Sequence, residues 1–436
     1  MSKLKELIDR LCPNGVEFKP VWELTIWDKR FNGVDRIKQP KVISYPYLLA
    51  KDMKALEQES GNVTLLSTGE YVGYTTEELA GNYLCEGEIV TLPWGGTVKG
   101  MKYFKGKFVT ADNRIATSID TKVLNNKFLY YIFLQHSDIL QSFYRGAGIQ
   151  HPNMNDVLHL LIPVPPIEVQ EEIVKILDRF ADYAAELQAE LQAELQARKE
   201  QYEYYRNLLL TFNPSACGCG TDDKQEMKGV TTWGGHSYKI AWKTMGEVCD
   251  FINGFAFKSN LFKSDGERII RITNISDSNV DLSDTKYFDK NDYPIDLSKY
   301  CVHKGNILIA MSGATTGKIG CYMYDKISYI NQRVGMFKPH SELSERFLFH
   351  ILSNKTNDFY IMAGGGAQPN LSSNQLMTEI LIPIPPMEVQ EKIVAILDRF
   401  ETLVNDLTQG LPAEIAAVKE QYEYYRNKLL TFKQIA

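Results

Sequence analysis

The sequence lacks the features of secreted and membrane proteins. Its seven cysteines are an odd number scattered over 436 residues, and they form no disulfide framework, which favours a reducing compartment. No apolar run approaches the roughly 18 residues of a membrane span. The first residues, MSKLKELIDRL, are amphipathic and charged, without the apolar core of a signal peptide. We therefore predict a globular, cytoplasmic protein of two or three domains.

Motifs for chemistry are also missing. Residues 213–216 read Asn-Pro-Ser-Ala, which lacks the second proline and the aromatic residue of an adenine-methyltransferase motif. SGATTGK, residues 312–318, is not a nucleotide-binding loop, because three residues separate its glycines where that loop needs four. Cys217, Cys219 and His236 have no second ligand pair for zinc. We predict no catalytic residue, no metal site and no cofactor in this chain.

Excess positive charge, the usual mark of a nucleic-acid binder, is absent from the whole chain, whose net charge is -6. The charge is unevenly distributed, however. Residues 166–212 hold ten acids and five bases, and residues 386–432 hold eight acids and five bases. Without these two segments the chain carries a net charge of +2. This balance permits DNA binding by the remainder without requiring it.

The chain does contain a long internal repeat. IPVPPIEVQEEIVKILDRF at 162–180 recurs as IPIPPMEVQEKIVAILDRF at 382–400, and KEQYEYYRNLLLTF at 199–212 recurs at 419–432 with one difference. In each copy two prolines precede apolar residues that recur at alternating spacings of four and three. This pattern predicts a long helix with a coiled-coil seam. Such a helix must bury its apolar stripe on a partner, and the nearest candidate is its own duplicate.

The segments outside the repeats read as mixed α and β and follow the same order twice. We predict strands at 86–94 and 107–119 and a helix at 127–144, and then strands at 304–312 and 329–337 and a helix at 346–354. The predicted domains are 1–161, a helical region 162–212, a linker 213–239, a second globular domain 240–381 and a helical region 382–436.

This arrangement resembles the specificity subunit of type I restriction-modification enzymes. The resemblance lies in the P-P-x-E-x-Q-x-x-I-V-x-x-L-D-x-F block, the Tyr-Tyr-Arg-Asn block at 204–207 and 424–427, and the alternation of variable and repeated regions. GFAFKSNLF at 254–262 and SGATTGKIG at 312–320 are similar to phrases of that family's target recognition domains. The first globular segment lacks the GFAFKS phrase.

The resemblance implies an α+β fold in which two mixed α/β target recognition domains are separated by an antiparallel coiled coil of two conserved helices, with a pseudo-two-fold internal repeat. It implies a non-catalytic subunit whose partners are double-stranded DNA, two methyltransferase subunits and, through these, restriction/translocase subunits, with no membrane. S-adenosylmethionine, ATP and Mg would be used by the partner subunits. The two domains would each read half of a split DNA site.

Several side chains in the globular segments are predicted to contact DNA. Arg pairs well with guanine, Asn and Gln pair with adenine, and Lys reaches phosphates. Structural hydrogen bonding, a plain tight turn at 312–318 and a turn or helix cap around Gln368 are the competing interpretations. The predicted set is Lys99, Asn113, Arg114, Gln150, Asn153, Phe257, Lys258, Ser312, Thr315, Thr316, Lys318, Gln332, Arg333, Gln368 and Asn370.

Aromatic residues near the end of each repeat are predicted to bind a protein partner, because a coiled-coil seam does not use all of them and Tyr and Arg are favoured interface anchors. A solvated helical hairpin is the alternative. For the whole chain the alternatives are a coiled-coil adaptor without DNA contact and a self-contained methyltransferase. The predicted partner-binding residues are Tyr202, Tyr204, Tyr205, Arg206, Tyr422, Tyr424, Tyr425 and Arg426.

Overall fold

The computed structural model describes residues 2–212, 228–233, 236–276, 278–364, 369–405 and 410–435. The chain divides into two compact units. Unit 1 comprises residues 1–190 and 415–436, and unit 2 comprises residues 191–414. Each unit therefore combines one globular segment with parts of both repeated blocks. Cys217 and Cys219 of the predicted linker lie outside the described residues.

The first half of the chain alternates short strands with helices before one long helix. Its elements are α1 (Ser2–Leu11), β1 (Glu17–Pro20), α2 (Val21–Leu24), β2 (Thr25–Trp27), α3 (Ala50–Ala55), β3 (Val63–Leu66), β4 (Val72–Thr75), α4 (Glu77–Ala80), β5 (Cys85–Pro93), β6 (Lys102–Thr110), β7 (Asn113–Ser118), α5 (Asn126–Gln135), α6 (Ser137–Ser142), β8 (Tyr144–Arg145), β9 (His151–Pro152), α7 (Met154–His159), β10 (Leu161–Val164) and α8 (Ile167–Leu210).

The second half repeats this order and ends in two helices. Its elements are β11 (Lys228–Trp233), β12 (His236–Thr244), α9 (Met245–Val248), β13 (Cys249–Asn253), β14 (Glu267–Ile270), β15 (Ser278–Asn279), β16 (Lys286–Phe288), β17 (Cys301–Val302), β18 (Ile307–Ala310), β19 (Ile319–Cys321), β20 (Ser328–Ile330), β21 (Val334–Pro339), α10 (Glu345–Ser353), α11 (Thr356–Met362), α12 (Ser373–Glu379), β22 (Leu381–Ile384), α13 (Met387–Asn405) and α14 (Leu411–Leu429).

Three predicted elements are each divided in two. The segment 107–119 turns between β6 and β7, and 329–337 turns between β20 and β21. The predicted helix 127–144 breaks at His136, where the backbone leaves the helical conformation and the imidazole Nδ1 lies 2.9 Å from the Ile132 carbonyl oxygen. Within the predicted linker, residues 228–233 form β11, which pairs with β12. The order of the elements follows the prediction, whereas these boundaries do not.

Each unit is built on mixed sheets. Unit 1 contains a six-stranded sheet of order β2-β7-β5-β6-β3-β4, and its largest core packs α5 and the start of α8 against this sheet. Unit 2 contains a five-stranded sheet, β13-β21-β18-β19-β15, and a four-stranded sheet, β16-β14-β20-β17. In both units the central antiparallel pairs, β5 with β7 and β18 with β21, have equivalent places in the order of elements.

The Ile-Pro segment that opens each repeat is a strand bound to its own unit. β10 pairs antiparallel with β1, and β22 pairs antiparallel with β12. In unit 1 the chain termini also meet, because the Val16 amide donates to the Lys433 carbonyl at 2.8 Å. Gly15 makes this approach possible, since its φ is +106° and a Cβ atom there would lie 2.4 Å from the same oxygen.

The repeated helices meet in the same way in both units. In unit 1 the Phe180 and Tyr425 rings lie 5.9 Å apart, and in unit 2 the Phe400 and Tyr205 rings lie 5.5 Å apart. Phe180 corresponds to Phe400, and Tyr205 corresponds to Tyr425. One aromatic contact is therefore made twice with the roles of the two copies exchanged, as an antiparallel pair of duplicated helices requires.

A buried glutamine in each repeat holds the helix to its globular segment. Gln170 and Gln390 are both fully buried. The Gln170 side chain accepts from the Asn125 amide at 2.9 Å and donates to the Val123 and Pro165 carbonyls at 2.7 Å. Gln390 repeats all three bonds in unit 2, with Ser344, Glu342 and Pro385. Asn125 and Ser344 are the N-caps of α5 and α10, so each glutamine fixes the start of a core helix.

A repeated aspartate makes the second attachment. Asp178 accepts from Lys127 at 2.8 Å and from Tyr131 at 2.6 Å, and Asp398 pairs with Arg346 at 2.7 Å and with the His350 Nε2 at 2.7 Å. Burial raises the pKa of Asp398, but the His350 hydrogen bond and the Arg346 charge outweigh it and lower the pKa below its ordinary value. Both units therefore use a cation and a second polar group one helical turn apart, with different residues.

Gln390→Ala is expected to destabilise unit 2 by about 2 to 4 kcal/mol, because three hydrogen bonds are lost and buried partners remain unsatisfied. Amide hydrogen exchange should accelerate in α10, and Gln170→Ala should accelerate it in α5 of unit 1. Gln192→Ala on the exposed face of α8 is the matched control. Unchanged exchange in α10 with Gln390→Ala would contradict this assignment.

Candidate nucleic-acid interface and helical docking surface

Four segments of unit 2 are hydrogen-bonded into one loop cluster, residues 254–258, 312–318, 331–333 and 369–370. The Phe255 amide donates to the Ile330 carbonyl at 2.9 Å, and the Gly313 amide donates to the Pro369 carbonyl at 3.3 Å. Gly254 fits only without a side chain, because a Cβ atom would lie 2.1 Å from the Asn331 carbonyl oxygen. The structure thus brings together segments that sequence analysis selected separately.

Some predicted residues of this cluster are part of its framework. Phe257 is buried, and its ring lies 4.5 Å from that of Phe288. Ser312 is buried, and its hydroxyl accepts from Arg333 at 3.4 Å. Thr316 is also buried, and its hydroxyl donates to the Gly313 and Pro369 carbonyls at 2.6 and 3.3 Å. These three side chains shape the loops and are not presented to a ligand.

Other predicted residues of the loop cluster are presented to solvent. Lys258, Gln332, Arg333 and Asn370 are exposed. Thr315 and Lys318 are half-buried, and the Thr315 hydroxyl donates to the Ile272 carbonyl at 3.0 Å. Residues 331–333 form the turn between β20 and β21, so they do not lie on a strand. Gln368 lies outside the described residues.

The loop 312–318 has the geometry of a tight turn before a strand. Gly313 and Gly317 both have φ of +83°, and the Gly317 amide donates to the Ala310 carbonyl at 2.9 Å. β19 follows directly, where a phosphate-binding loop would be followed by a helix. The backbone therefore differs from that of a nucleotide-binding loop.

In unit 1 two loops at 94–99 and 145–151 form the corresponding loop pair. The Gly96 amide donates to the Gln150 carbonyl at 2.9 Å. The Trp94 ring and the His151 imidazole are stacked at 4.9 Å, and the His151 Nδ1 lies 2.6 Å from the Trp94 carbonyl oxygen. Lys99 and Gln150 are exposed on this pair. Asn153 is exposed as well, but its side chain caps α7 and donates to Asp156 at 2.8 Å.

Asn113 and Arg114 lie in the interior of unit 1, where their side chains are 3% and 2% exposed. The Asn113 amide donates to the Leu66 carbonyl at 3.1 Å. The Arg114 guanidinium pairs with Asp28 at 3.0 Å and lies 4.4 Å from the centre of the Trp94 ring. Their contacts are structural, so these two side chains are not part of a DNA-facing surface. Sequence reasoning did not detect Asp28, the distant partner that makes this burial possible.

The eight predicted partner-binding residues divide into packed and exposed members. Tyr202 is buried against Phe400 with ring centres 6.4 Å apart. The Arg206 guanidinium lies 5.2 Å from the Tyr202 ring, and the Arg426 guanidinium lies 5.8 Å from the ring of Tyr422, which is half-buried. Tyr205 and Tyr425 make the repeated contacts with the two phenylalanines. These six side chains therefore stabilise the helix pairs themselves, and only part of the Tyr425 ring remains exposed.

Tyr204 and Tyr424 are the exposed members, at 63% and 60%. One turn further along the helix lie Leu208, 56% exposed, and Lys428, whose Nζ is 5.7 Å from the Tyr424 ring centre. This position is the single difference between the 14-residue blocks at 199–212 and 419–432. We call Tyr204 and Leu208 the unit 2 docking surface, and Tyr424 and Lys428 the unit 1 docking surface.

One described cluster has the composition of a metal site. His350, Asp398 and Glu401 offer ligand atoms within 4.8 Å of one another. The Arg346 guanidinium binds both carboxylates, so a cation already neutralises this cluster. Competition with an always-charged guanidinium disfavours metal binding here.

No helix in the described part of the chain combines the length and apolarity that crossing a membrane would require.

Comparisons with known proteins agree with this architecture. The family model for the type I restriction modification DNA specificity domain matches residues 45–197 and 239–417. The EcoR124I/EcoR124II specificity subunit of Escherichia coli is 26% identical over 446 residues, covering 99% of this chain and 97% of its own length. A Haemophilus influenzae protein named for the same kind of subunit is 30% identical over 452 residues, covering 99% of this chain and 100% of its own.

A solved chain from work on complex assembly and conformational transition of the type I R-M system shares the fold, with a TM-score of 0.55 and 16% identity. The alignment covers 96% of this chain and 98% of that one. The family model alone matches well over half of the chain, once in each unit's globular segment. The chain therefore belongs to the family of type I restriction-modification specificity subunits.

Proposed function

We propose that this chain is the DNA-recognition subunit of a type I restriction-modification complex, in which each unit reads one half of a bipartite site and the helices hold two methyltransferase subunits. The observation that carries this proposal is the duplication itself. The helical framework, with Gln170 and Gln390 in identical roles, is repeated nearly unchanged. The loops that each framework supports differ, which fits one kind of partner bound twice and two different DNA half-sites.

The exposed side chains of the unit 2 loop cluster suit base and phosphate recognition. Arg333 has the fork geometry that pairs with guanine, and the amides of Gln332 and Asn370 match adenine. Lys258 is a point charge suited to a phosphate. In unit 1 Lys99 and Gln150 have the same chemistry on the loop pair. The buried members, including Phe257 and Thr316, set loop shape and contribute to specificity only through position.

The proposed protein partners are methyltransferase subunits, with restriction/translocase subunits attached through them. An exposed tyrosine beside an apolar or cationic residue, present once in each unit, is the kind of anchor that binds a partner. The chain itself is proposed to be non-catalytic, with S-adenosylmethionine, ATP and Mg used by the partners. We place this complex in the cytoplasm, where it meets DNA.

The decisive experiment is to purify the chain with its methyltransferase subunits and map the adenines that the complex methylates. A split motif with two fixed halves is expected. Methylation by the purified chain alone would indicate a self-contained enzyme, and a partner-loaded complex without salt-dependent DNA binding would indicate a coiled-coil adaptor.

Arg333→Ala is expected to weaken binding to the mapped site roughly 10- to 100-fold, corresponding to about 1 to 3 kcal/mol for a base contact. Specificity should relax in one half-site only. Lys258→Ala should instead lower the salt dependence of binding by about one phosphate contact for every sequence. Lys326→Ala is the matched control, because this exposed lysine lies in the turn between β19 and β20, at the other end of the sheet. An equal effect of Arg333→Ala on both halves would contradict the modular assignment.

A further inference from the structure

Residues 28–41 of unit 1, DKRFNGVDRIKQPK, form a basic loop that the motif analysis did not select. This loop holds five bases and two acids. Both acids are engaged within the unit. The Asp28 carboxylate accepts from the Ile115 amide at 2.9 Å and pairs with Arg114, while Asp35 accepts from the Ile37 amide at 3.0 Å. The loop therefore presents net positive charge at its exposed end.

The basic loop is folded around a buried glutamine. Gln39 is only 5% exposed. Its side-chain oxygen accepts from the Phe31 amide at 2.9 Å, and its amide nitrogen donates to the Lys29 carbonyl at 3.2 Å. Phe31 packs against Trp27 with ring centres 5.7 Å apart. The loop thus has a defined shape, so the side chains at its tip are held in place at little further entropic cost.

The tip of this loop combines cations with an unusually exposed apolar side chain. Ile37 is 79% exposed, the highest value among the exposed large hydrophobic residues of the described chain. It lies between Arg36 and Lys38 in a single 3₁₀ turn. Arg36 and Lys41 are exposed too. A single exposed isoleucine is ordinary, but an apolar tip flanked by cations on an ordered loop matches the way DNA-binding proteins contact phosphates and bases together.

The basic loop leaves the six-stranded sheet at the same end as the loop pair. β2 and β5 both pair antiparallel with β7, with Trp27 and Val90 opposite the same residue, Ala116. The two strands therefore run in one direction and end beside each other, β5 leading into the 94–99 loop. At the base of the basic loop, the Lys29 Nζ lies 3.9 Å from the Asp112 carboxylate. The opposite end of the sheet carries the turn that follows β7.

We propose that the basic loop is a DNA contact of unit 1, in which Arg36 and Lys41 bind phosphates and Ile37 makes an apolar contact with a base in the groove. The proposal rests on the DNA-recognition function proposed above. It adds a recognition element of unit 1 beyond the 94–99 and 145–151 loops. The ligand is double-stranded DNA, identified by the combination of spaced cations and an apolar tip.

The test uses the complete complex with its methyltransferase subunits and duplexes carrying the mapped site. Arg36→Ala and Lys41→Ala should each lower the slope of log affinity against log salt by about one. Ile37→Ala should weaken binding about fivefold or more, the range of one lost apolar base contact, without changing that slope. Lys122→Ala and Ile119→Ala are matched controls, since both residues are exposed in the turn after β7 at the opposite end of the sheet.

The outcomes separate this inference from the function on which it rests. If the unaltered complex binds and methylates its site while all three loop variants behave like the two controls, the basic loop is not a DNA contact. A changed slope with an unaffected Ile37→Ala variant overturns the apolar contact. If the unaltered complex fails to bind DNA at all, the recognition function itself is wrong. Retained methyltransferase subunits in native mass spectra verify that the variants are folded.

Discussion

Replacing Tyr204 and Leu208 with alanine is expected to reduce the number of methyltransferase subunits bound per chain from two to one. The two side chains are 63% and 56% exposed on one helix face, so their loss leaves the described packing of unit 2 intact. A central aromatic anchor contributes about 2 kcal/mol or more to a protein interface, which is a roughly 30-fold change in affinity. Native mass spectrometry of the assembled complex measures the change directly.

The matched variant is Tyr424→Ala with Lys428→Ala, which removes the unit 1 docking surface. Its loss should leave the subunit on unit 2 in place, and combining all four substitutions should abolish binding. Tyr205→Ala is a packing control, because that ring is stacked on Phe400 and its loss should lower the thermal stability of unit 2. Two bound subunits on the Tyr204→Ala, Leu208→Ala chain would contradict this docking surface.

The two docking surfaces should also differ in salt dependence. Unit 2 presents the apolar Leu208, whereas unit 1 presents Lys428, whose charge lies 5.7 Å from the Tyr424 ring centre. Charges at the edge of an interface mainly add a salt-sensitive contribution, and buried apolar area does not. Binding to unit 1 is therefore the more salt-sensitive of the two.

The repeat made the framework of this fold predictable. Proline pairs, first-turn acids and apolar spacing identified the helices, and α8 is continuous from Ile167 to Leu210. Duplication also predicted an antiparallel pairing, which the Phe180–Tyr425 and Phe400–Tyr205 contacts confirm. The signal for Gln170 and Gln390 was present as well, since they are identical between copies. Their role depended on N-caps about 45 residues earlier in each half, which local spacing does not reveal.

The division of predicted site residues into buried and exposed ones was not predictable from the sequence. Asn113 and Arg114 have the same side-chain chemistry as Asn331 and Arg333, yet the first pair is interior and Arg333 is exposed. The difference arises because Asp28, distant in sequence, neutralises Arg114 in the core. The basic loop had a local signal, five bases in fourteen residues. The whole-chain charge, dominated by the acidic helices, concealed it.

The second large effect concerns AELQAELQAELQ, residues 185–196, which we expect to set the gap between the two DNA half-sites. The segment lies inside α8, and the boundary between the two units falls within it, between Glu190 and Leu191. All four residue types are good helix formers, so the helix should tolerate a change in the number of units. Leu195 is buried, and Leu187 and Leu191 are half-buried, so every unit contributes a leucine to the apolar face. A four-residue unit acts as a stutter that locally unwinds a coiled coil while keeping its seam.

One unit lengthens the helix by about 6 Å and turns it by roughly 40° beyond a full turn. DNA rises about 3.4 Å per base pair. Chains with two or four AELQ units should therefore methylate a site whose unread spacer is shorter or longer by one or two base pairs, with both half-sites unchanged. The second repeat is less suited to this role, because Gly410 and Pro412 interrupt its helical pattern and its described helices end at Asn405 and resume at Leu411. Methylation mapping of both variants, with the mapped half-sites as internal controls, decides the matter: an unchanged spacer in an active variant, or an altered half-site, would leave the repeat as ordinary coiled coil.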